Sequence, residues 1–171
     1  MSIQNNNMRM ISLEKVVINI GVGKSGEPLE RAKNALEELT SRKPTQCGAK
    51  NNVRDFGIHK GEPIGAKVTL RNTEAMEFAK RIILAKNNQL KKSSFDSYGN
   101  ISIGIREHID IPGAKYNPDI GIFGMNVCIS LSRPGYRIIN RSNPRKMGKK
   151  HRISKDEAIE YYQKNLGVEM I

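Results

Sequence analysis

Residues 21–26 (GVGKSG) are the part of this 171-residue chain that most invites a chemical reading. A glycine-rich turn with a lysine and a serine is what a phosphate-binding loop uses, because backbone amides and an ammonium group converge on phosphate oxygens. The Walker pattern, however, needs a glycine five residues before Gly23, and that position is Ile18. A dinucleotide fingerprint needs glycines at the spacing of Gly21, Gly23 and Gly26, which is met formally. Yet the next helix opens only at Pro28, and no acidic ribose partner follows a second parallel strand. His59, His108 and His151 lie far apart, so neither a triad nor a metal site is expected. Asp110 and Asp119 flank a run containing Pro112, Gly113, Asn117 and Pro118, where turn formation explains them better than acid catalysis. Cys47 and Cys128 form no disulfide framework and read as reduced, partly buried thiols. No active site assembles, and no cofactor or metal is expected.

The stronger chemical signal is charge. The chain carries 29 Lys and Arg against 17 Asp and Glu, a net +12. Residues 133–155 hold nine of those cations, Arg133, Arg137, Arg141, Arg145, Lys146, Lys149, Lys150, Arg152 and Lys155, and no carboxylate. The rest of the chain is nearly balanced at +3, from 20 basic and 17 acidic residues. A block of one sign repels itself unless a polyanion neutralises it. Nucleic acid fits better than a membrane surface, because no amphipathic helix with an apolar face accompanies the block. The longest uncharged stretch, residues 120–132, is far shorter than the roughly 20 residues needed to span a bilayer as a helix. The polar, Asn-rich residues 1–10 do not read as a secretory signal, so a cytosolic protein is expected.

Residues 15–21 (KVVINIG) read as a β-branched strand closed by a Gly turn. A helix follows from Pro28 through Thr40, with Leu29, Ala32, Leu36 and Leu39 at helical spacing. Residues 64–71 alternate, with Ile64, Ala66, Val68 and Leu70 on one face. Asn72 or Thr73 is expected to cap a second helix whose buried stripe is Ala75, Met76, Ala79, Ile82 and Ile83. After a turn at 96–100, Ile101, Ile103 and Ile105 alternate, as do Phe123, Met125, Val127, Ile129 and Leu131. Ser154 and Glu157 form a capping box opening a last helix that stops at Gly167. The pattern predicts an α+β fold: a largely antiparallel sheet with helices packed on one face and the opposite face polar and RNA-binding. It divides into an RNA-binding core at 1–132, a basic RNA-binding segment at 133–155, and a C-terminal helix at 156–171 packed on the same domain.

Strand parity puts a second set of side chains on the far face. That set is Lys15 and Asn19, then Lys67, Thr69 and Arg71, then Ser102 and Arg106, then Asn126, Cys128 and Ser130. It offers donors, acceptors and cations but no carboxylate. It lacks the aromatic platform of ordinary single-strand RNA binders, so recognition of folded RNA through phosphate, ribose and shape is the better reading. The 50–62 connection carries Lys50, Arg54, His59 and Lys60 with little apolar content, and its cations could reach a second RNA. Two other classes compete with this reading: an RNA-modifying or nucleotide-using enzyme, which would need a pocket of converging groups, and an adaptor acting by protein contact.

Several segments resemble a known family. Residues 15–23 (KVVINIGVG), 56–62 (FGIHKGE) and 63–71 (PIGAKVTLR) resemble large-subunit ribosomal protein five, the protein that docks 5S rRNA. Residues 100–110 (NISIGIREHID), 116–124 (YNPDIGIFG), 133–136 (RPGY) and 151–157 (HRISKDE) resemble its archaeal and eukaryotic branch. The resemblance implies a non-catalytic part of the central protuberance that binds 5S rRNA and helps attach it to the large-subunit rRNA. It further implies a contact with P-site tRNA, an intersubunit bridge to a small-subunit head protein, and a cytoplasmic location in the ribosome. The family's 5S contacts fall on Asn19 and Thr69, with a third on Arg42, where relatives often carry Gln. Lys15, Lys67 and Arg71 complete the expected 5S set. The tRNA-facing loop corresponds to residues 54–61, including Arg54, Phe56, His59, Lys60 and Gly61. Arg133, Arg137, Arg141, Arg145, Lys146, Lys149, Lys150 and Arg152 are expected to clamp other rRNA phosphates.

Overall fold

The structure is a computed structural model and describes residues 6–171. Of the polar stretch at 1–10, residues 1–5 lie outside the described residues. Five strands, β1 (Ser12–Gly21), β2 (Thr45–Gly48), β3 (Pro63–Arg71), β5 (Ile101–Ile105) and β6 (Met125–Ser132), make the main sheet. Their order is β2-β3-β1-β6-β5, and the sheet is mostly antiparallel. Two short strands, β4 (Gln89–Leu90) and β7 (Glu169–Met170), pair in parallel. The helices are α1 (Glu27–Thr40), α2 (Asn72–Ala85), α3 (Arg137–Asn140) and α4 (Lys155–Leu166). The α+β architecture is thus as the alternation predicts.

The chain forms two compact units. One comprises residues 17–70 and 103–128 and contains α1. Ile18, Ile20, Ala66, Val68, Ile103, Ile105, Met125 and Val127 are buried there, each on the parity that the sequence assigns to the core. Helix α1 adds Leu29, Ala32, Ala35, Leu36 and Leu39. Its N-terminus has Pro28 in the first turn and Glu27 and Glu30 against the positive end of the helix dipole, while Ser41 closes it in the left-handed conformation. Strand β2 has no counterpart among the strands that the sequence pattern predicts. It pairs with β3 from Thr45 opposite Lys67 to Gly48 opposite Pro63, and as a short, largely exposed edge strand it carries no apolar alternation.

The other unit comprises the described residues up to 16, with 71–102 and 129–171. It holds α2, α3, α4 and the β4–β7 pair. Helix α2 starts at Asn72 itself, whose φ of 56° is a conformation Asn tolerates, and neither Asn72 nor Thr73 supplies the expected cap: Arg71 occupies that position and makes no side-chain capping bond. Its buried stripe includes Phe78, while Met76 is only half-buried. Helix α4 begins with the expected capping box, the Ser154 hydroxyl accepting from the Glu157 amide and the Glu157 carboxylate accepting from the Ser154 amide. Tyr162 from α4 is fully buried and meets Phe95 edge to face at 5.7 Å. Gly99 is dictated by this packing: its φ is +77°, and a Cβ there would sit 2.6 Å from the Ala158 methyl.

Candidate nucleic-acid interface

In the unit containing α1, the outward parity of the strands presents Lys67, Thr69, Arg106, Asn126 and Cys128 to solvent, with Asn19 half-exposed. These positions alternate with the buried aliphatics, so one periodicity creates core and surface together. Cys128 is therefore exposed rather than partly buried, and neither cysteine is in a disulfide. Arg42, just beyond the end of α1, is exposed as well. Amide, hydroxyl and ammonium groups on a rigid sheet can bond ribose and phosphate oxygens without an ordering cost for the backbone.

In the other unit, Lys15, Arg71, Ser102 and Ser130 stand on the same parity. Here the expectation of a carboxylate-free surface fails. The Glu14 carboxylate lies 3.7 Å from both the Lys15 ammonium and the Arg71 guanidinium. Glu14 has inward parity but sits at the strand's start, where its side chain is 29% exposed. Such loose, partly exposed pairs are worth little, so both cations remain able to exchange Glu14 for a phosphate.

The 50–62 connection is a braced hairpin rather than an unstructured loop. Val53 and Ile58 form an antiparallel bridge, a single turn at Arg54–Phe56 makes the tip, and Gly57 turns in the left-handed region. The Asn52 carboxamide accepts from the Lys60 amide at 2.6 Å, and Glu62 accepts from the His59 amide and the Ser25 hydroxyl. The His59 amide, with Ser25, holds the Glu62 carboxyl below its ordinary value. Arg54, His59, Lys60 and Gly61 are exposed, and Phe56, at 76% exposure, projects an aromatic ring into solvent.

The basic segment is likewise ordered. Arg137, Arg141, Arg145, Lys146, Lys149 and Lys150 are exposed, and Arg152 is half-exposed. Arg133 is a correction: it is buried, and its guanidinium donates to Glu157 at 2.9 Å and to the carbonyls of His151 and Arg152. Its expected role on rRNA phosphate gives way to an internal one, because a cation enclosed by its own chain cannot reach another. The Tyr136 hydroxyl accepts from the Ile153 amide at 2.8 Å, and His151 Nε2 lies 2.9 Å from the Pro134 carbonyl. Arg9 donates to the Lys150 carbonyl. The segment is thus a strap fastened at both ends, with Arg137, Arg141, Arg145, Lys146, Lys149 and Lys150 turned out. Nothing in the sequence pairs Arg133 with a residue 24 positions away.

The catalytic candidates do not converge. The amides of Val22 and Gly23 both donate to the Ile64 carbonyl at 2.9 Å, so they are unavailable to a phosphate. His108 is buried, and its Nδ1 accepts from the Phe123 amide. Burial holds its pKa below the ordinary value, against the opposing pull of Glu38. It borders a cavity of about 510 Å³ with Glu38, Lys115 and Tyr116, a set with no nucleophile beside a base. Among the described residues no cluster of three or more His, Cys, Asp and Glu could hold a metal, and no helix is long and apolar enough to cross a membrane.

Fold and surface together define an α+β protein that presents cationic, amide and hydroxyl-bearing side chains to solvent. Comparison with known proteins agrees and narrows the class. Residues 6–59 match the family described as ribosomal protein L5, and residues 63–161 match the model of that ribosomal family's C-terminus. The chain is 52% identical over 164 residues to large ribosomal subunit protein uL5 of Pyrobaculum aerophilum, covering 95% of this chain and 92% of the relative. It is 48% identical over 167 residues to the protein of that name from Sulfolobus acidocaldarius, covering 97% and 94%. It is 52% identical over 165 residues to the one from Cenarchaeum symbiosum, covering 96% and 98%. The chain belongs to the ribosomal protein L5 family, and these relatives are named as ribosomal proteins and not as enzymes.

Proposed function

We propose that the chain is a structural constituent of the large subunit of the cytoplasmic ribosome, and that its polar sheet face binds 5S rRNA and helps attach it to the large-subunit rRNA in the central protuberance. The observation that carries this reading is the outward row of amide, hydroxyl and cationic side chains, Asn19, Lys67, Thr69 and Asn126 among them, in a member of this family. The hairpin at 54–61 reaches P-site tRNA with Arg54, His59, Lys60 and the exposed Phe56. The outward cations of the strap neutralise phosphates of neighbouring rRNA. A bridge to a small-subunit head protein completes the role. The nucleotide-using alternative has little support, since the Val22 and Gly23 amides of the Gly loop are spent on Ile64.

The test is a filter-binding titration of 5S rRNA against the Asn19→Ala, Thr69→Ala double variant. Each lost hydrogen bond is worth about 1 kcal/mol net, so affinity should fall by about 30-fold at most. Unchanged affinity refutes the assignment of these two residues.

A further inference from the structure

Beside the strap lies a cleft of about 400 Å³ that neither the sequence nor the proposed role accounts for. This volume falls within the roughly 300–1,000 Å³ typical of small-molecule sites. Its walls are the half-buried Tyr136 and Met147 and the exposed Ile139, all from the strap. Lys15 and Ser130, from the polar parity of β1 and β6, contribute to the lining. At one side Arg152 lies over the Tyr98 ring, its guanidinium carbon 5.3 Å from the centroid, and donates to the Tyr98 hydroxyl at 3.2 Å. Tyr98 nevertheless remains 51% exposed. Its backbone is held in place, the amide donating to Asp96 at 2.8 Å.

We propose that this cleft is a slot for one unstacked nucleobase of the bound RNA, seated against the Tyr98–Arg152 pair. The inference rests on the RNA-binding reading above and gives the strap a second task besides phosphate neutralisation. Three features point to a base. A ring backed by a guanidinium is a flat, polarisable platform, the kind on which extruded bases stack. The apolar walls from Tyr136, Ile139 and Met147 suit a base's faces. The edge groups suit its rim: Ser130 offers a hydroxyl, and Asn100, whose side-chain nitrogen is spent on Asp96, keeps its side-chain oxygen as an acceptor. Charge selects a nucleotide over an apolar side chain of a protein partner. Lys15 and Arg152 line the cleft against a single carboxylate, that of Glu14, 3.7 Å from the Lys15 ammonium, and the exposed Arg137, Arg141, Lys149 and Lys150 belong to the same strap, where they would meet the phosphates on either side of the inserted base.

The experiment uses the full chain with purified 5S rRNA and purified large-subunit rRNA, each titrated by filter binding at several salt concentrations. The complexes are also irradiated with ultraviolet light, and nucleotide-bearing peptides are mapped by mass spectrometry. Tyr98→Ala should weaken binding by about tenfold, within the range for one base on an aromatic ring, and leave the salt slope unchanged because no cation is lost. Tyr98→Phe keeps the ring and should keep the affinity. A wild-type adduct on the Tyr98 peptide, with both variant results, supports the slot. If wild-type binding and its salt slope are intact but Tyr98→Ala binds as tightly and no adduct maps there, the slot is overturned and the RNA-binding reading stands. If the wild-type chain binds neither RNA, that reading falls and the slot with it. Because Tyr98 is half-exposed and its backbone bond to Asp96 survives in Ala, the variant should fold; unchanged circular dichroism checks this.

Discussion

Two cation-rich connections leave this protein's sheet, and they are built in opposite ways. The hairpin at 50–62 is braced from within and by its close neighbours, through Asn52 and Glu62, the Ser25 hydroxyl and the Ala49 backbone at its base, and its tip is bare. The strap at 133–155 is anchored to the protein's core, through the buried Arg133, the Glu157 carboxylate and the Tyr136 hydroxyl. Both display basic side chains, but the strap commits one of its own cations, Arg133, to holding itself in place, whereas the hairpin is held by the Glu62 carboxylate. The difference teaches that a run of like charges in a sequence mixes two kinds of residue: cations that are offered outward, and cations that hold the offering in position.

The largest effect should come from the strap's anchor. Glu157→Gln preserves the capping box, since Gln also serves at that position, but leaves the Arg133 guanidinium buried and uncompensated. Its Nε already finds no acceptor among the described residues. The expected loss is about 3 kcal/mol, at the low end for a broken buried pair because the Glu157 side chain is 41% exposed. Urea unfolding measures it, and a loss below about 0.5 kcal/mol would mean that the anchor is ornamental. The pH dependence gives a second readout. Burial raises the Glu157 pKa, but the Ser154 amide and Arg133 outweigh it and hold the carboxyl below its ordinary 4.5. The pair's contribution is therefore complete above that value and is lost as pH falls through the lower folded value; the Gln variant lacks this component.

Next in size is the response to salt. Replacing Arg145, Lys146, Lys149 and Lys150 by Gln removes four exposed cations. If each meets a phosphate, the slope of log affinity for rRNA against log salt should shrink by about 3. Replacing Arg54 and Lys60 on the hairpin should change that slope by at most about 2. An unaltered slope in the first variant removes the strap from the RNA surface. The smallest effect belongs to the hairpin tip: Phe56→Ala should change stability by less than about 0.5 kcal/mol, because its ring is 76% exposed. A larger loss in thermal unfolding would show that the tip packs on the body and that the two connections are alike after all.

What the sequence discloses follows from the range of each interaction. Strand parity and helix periodicity are local, so β1, β3, β5, β6 and α1 appear within a few residues of where the pattern puts them, with β1 beginning earlier at Ser12 and Phe123 falling outside β6, and the inward and outward sets of Ile18 and Asn19, Val68 and Thr69 come with them. The capping box at Ser154 is equally local. Contacts between distant positions leave no such trace. Arg133 reads as one more member of a basic block until Glu157 is seen beside it. Tyr98 reads as part of a turn until Arg152, 54 residues away, lies over its ring. Glu14 falls on the inward parity and still reaches Lys15 and Arg71. Strand β2 escapes because an edge strand exposed on both sides needs no alternation.

The modesty of that edge strand has a consequence for life before assembly. Strand β2 forms one margin of the sheet with only four residues, directly after Arg42, Lys43 and Pro44. Short length, neighbouring charge and a proline each discourage one sheet from extending into the next. At this margin, a basic chain newly released from synthesis meets its own copies with an edge that offers them little to pair with.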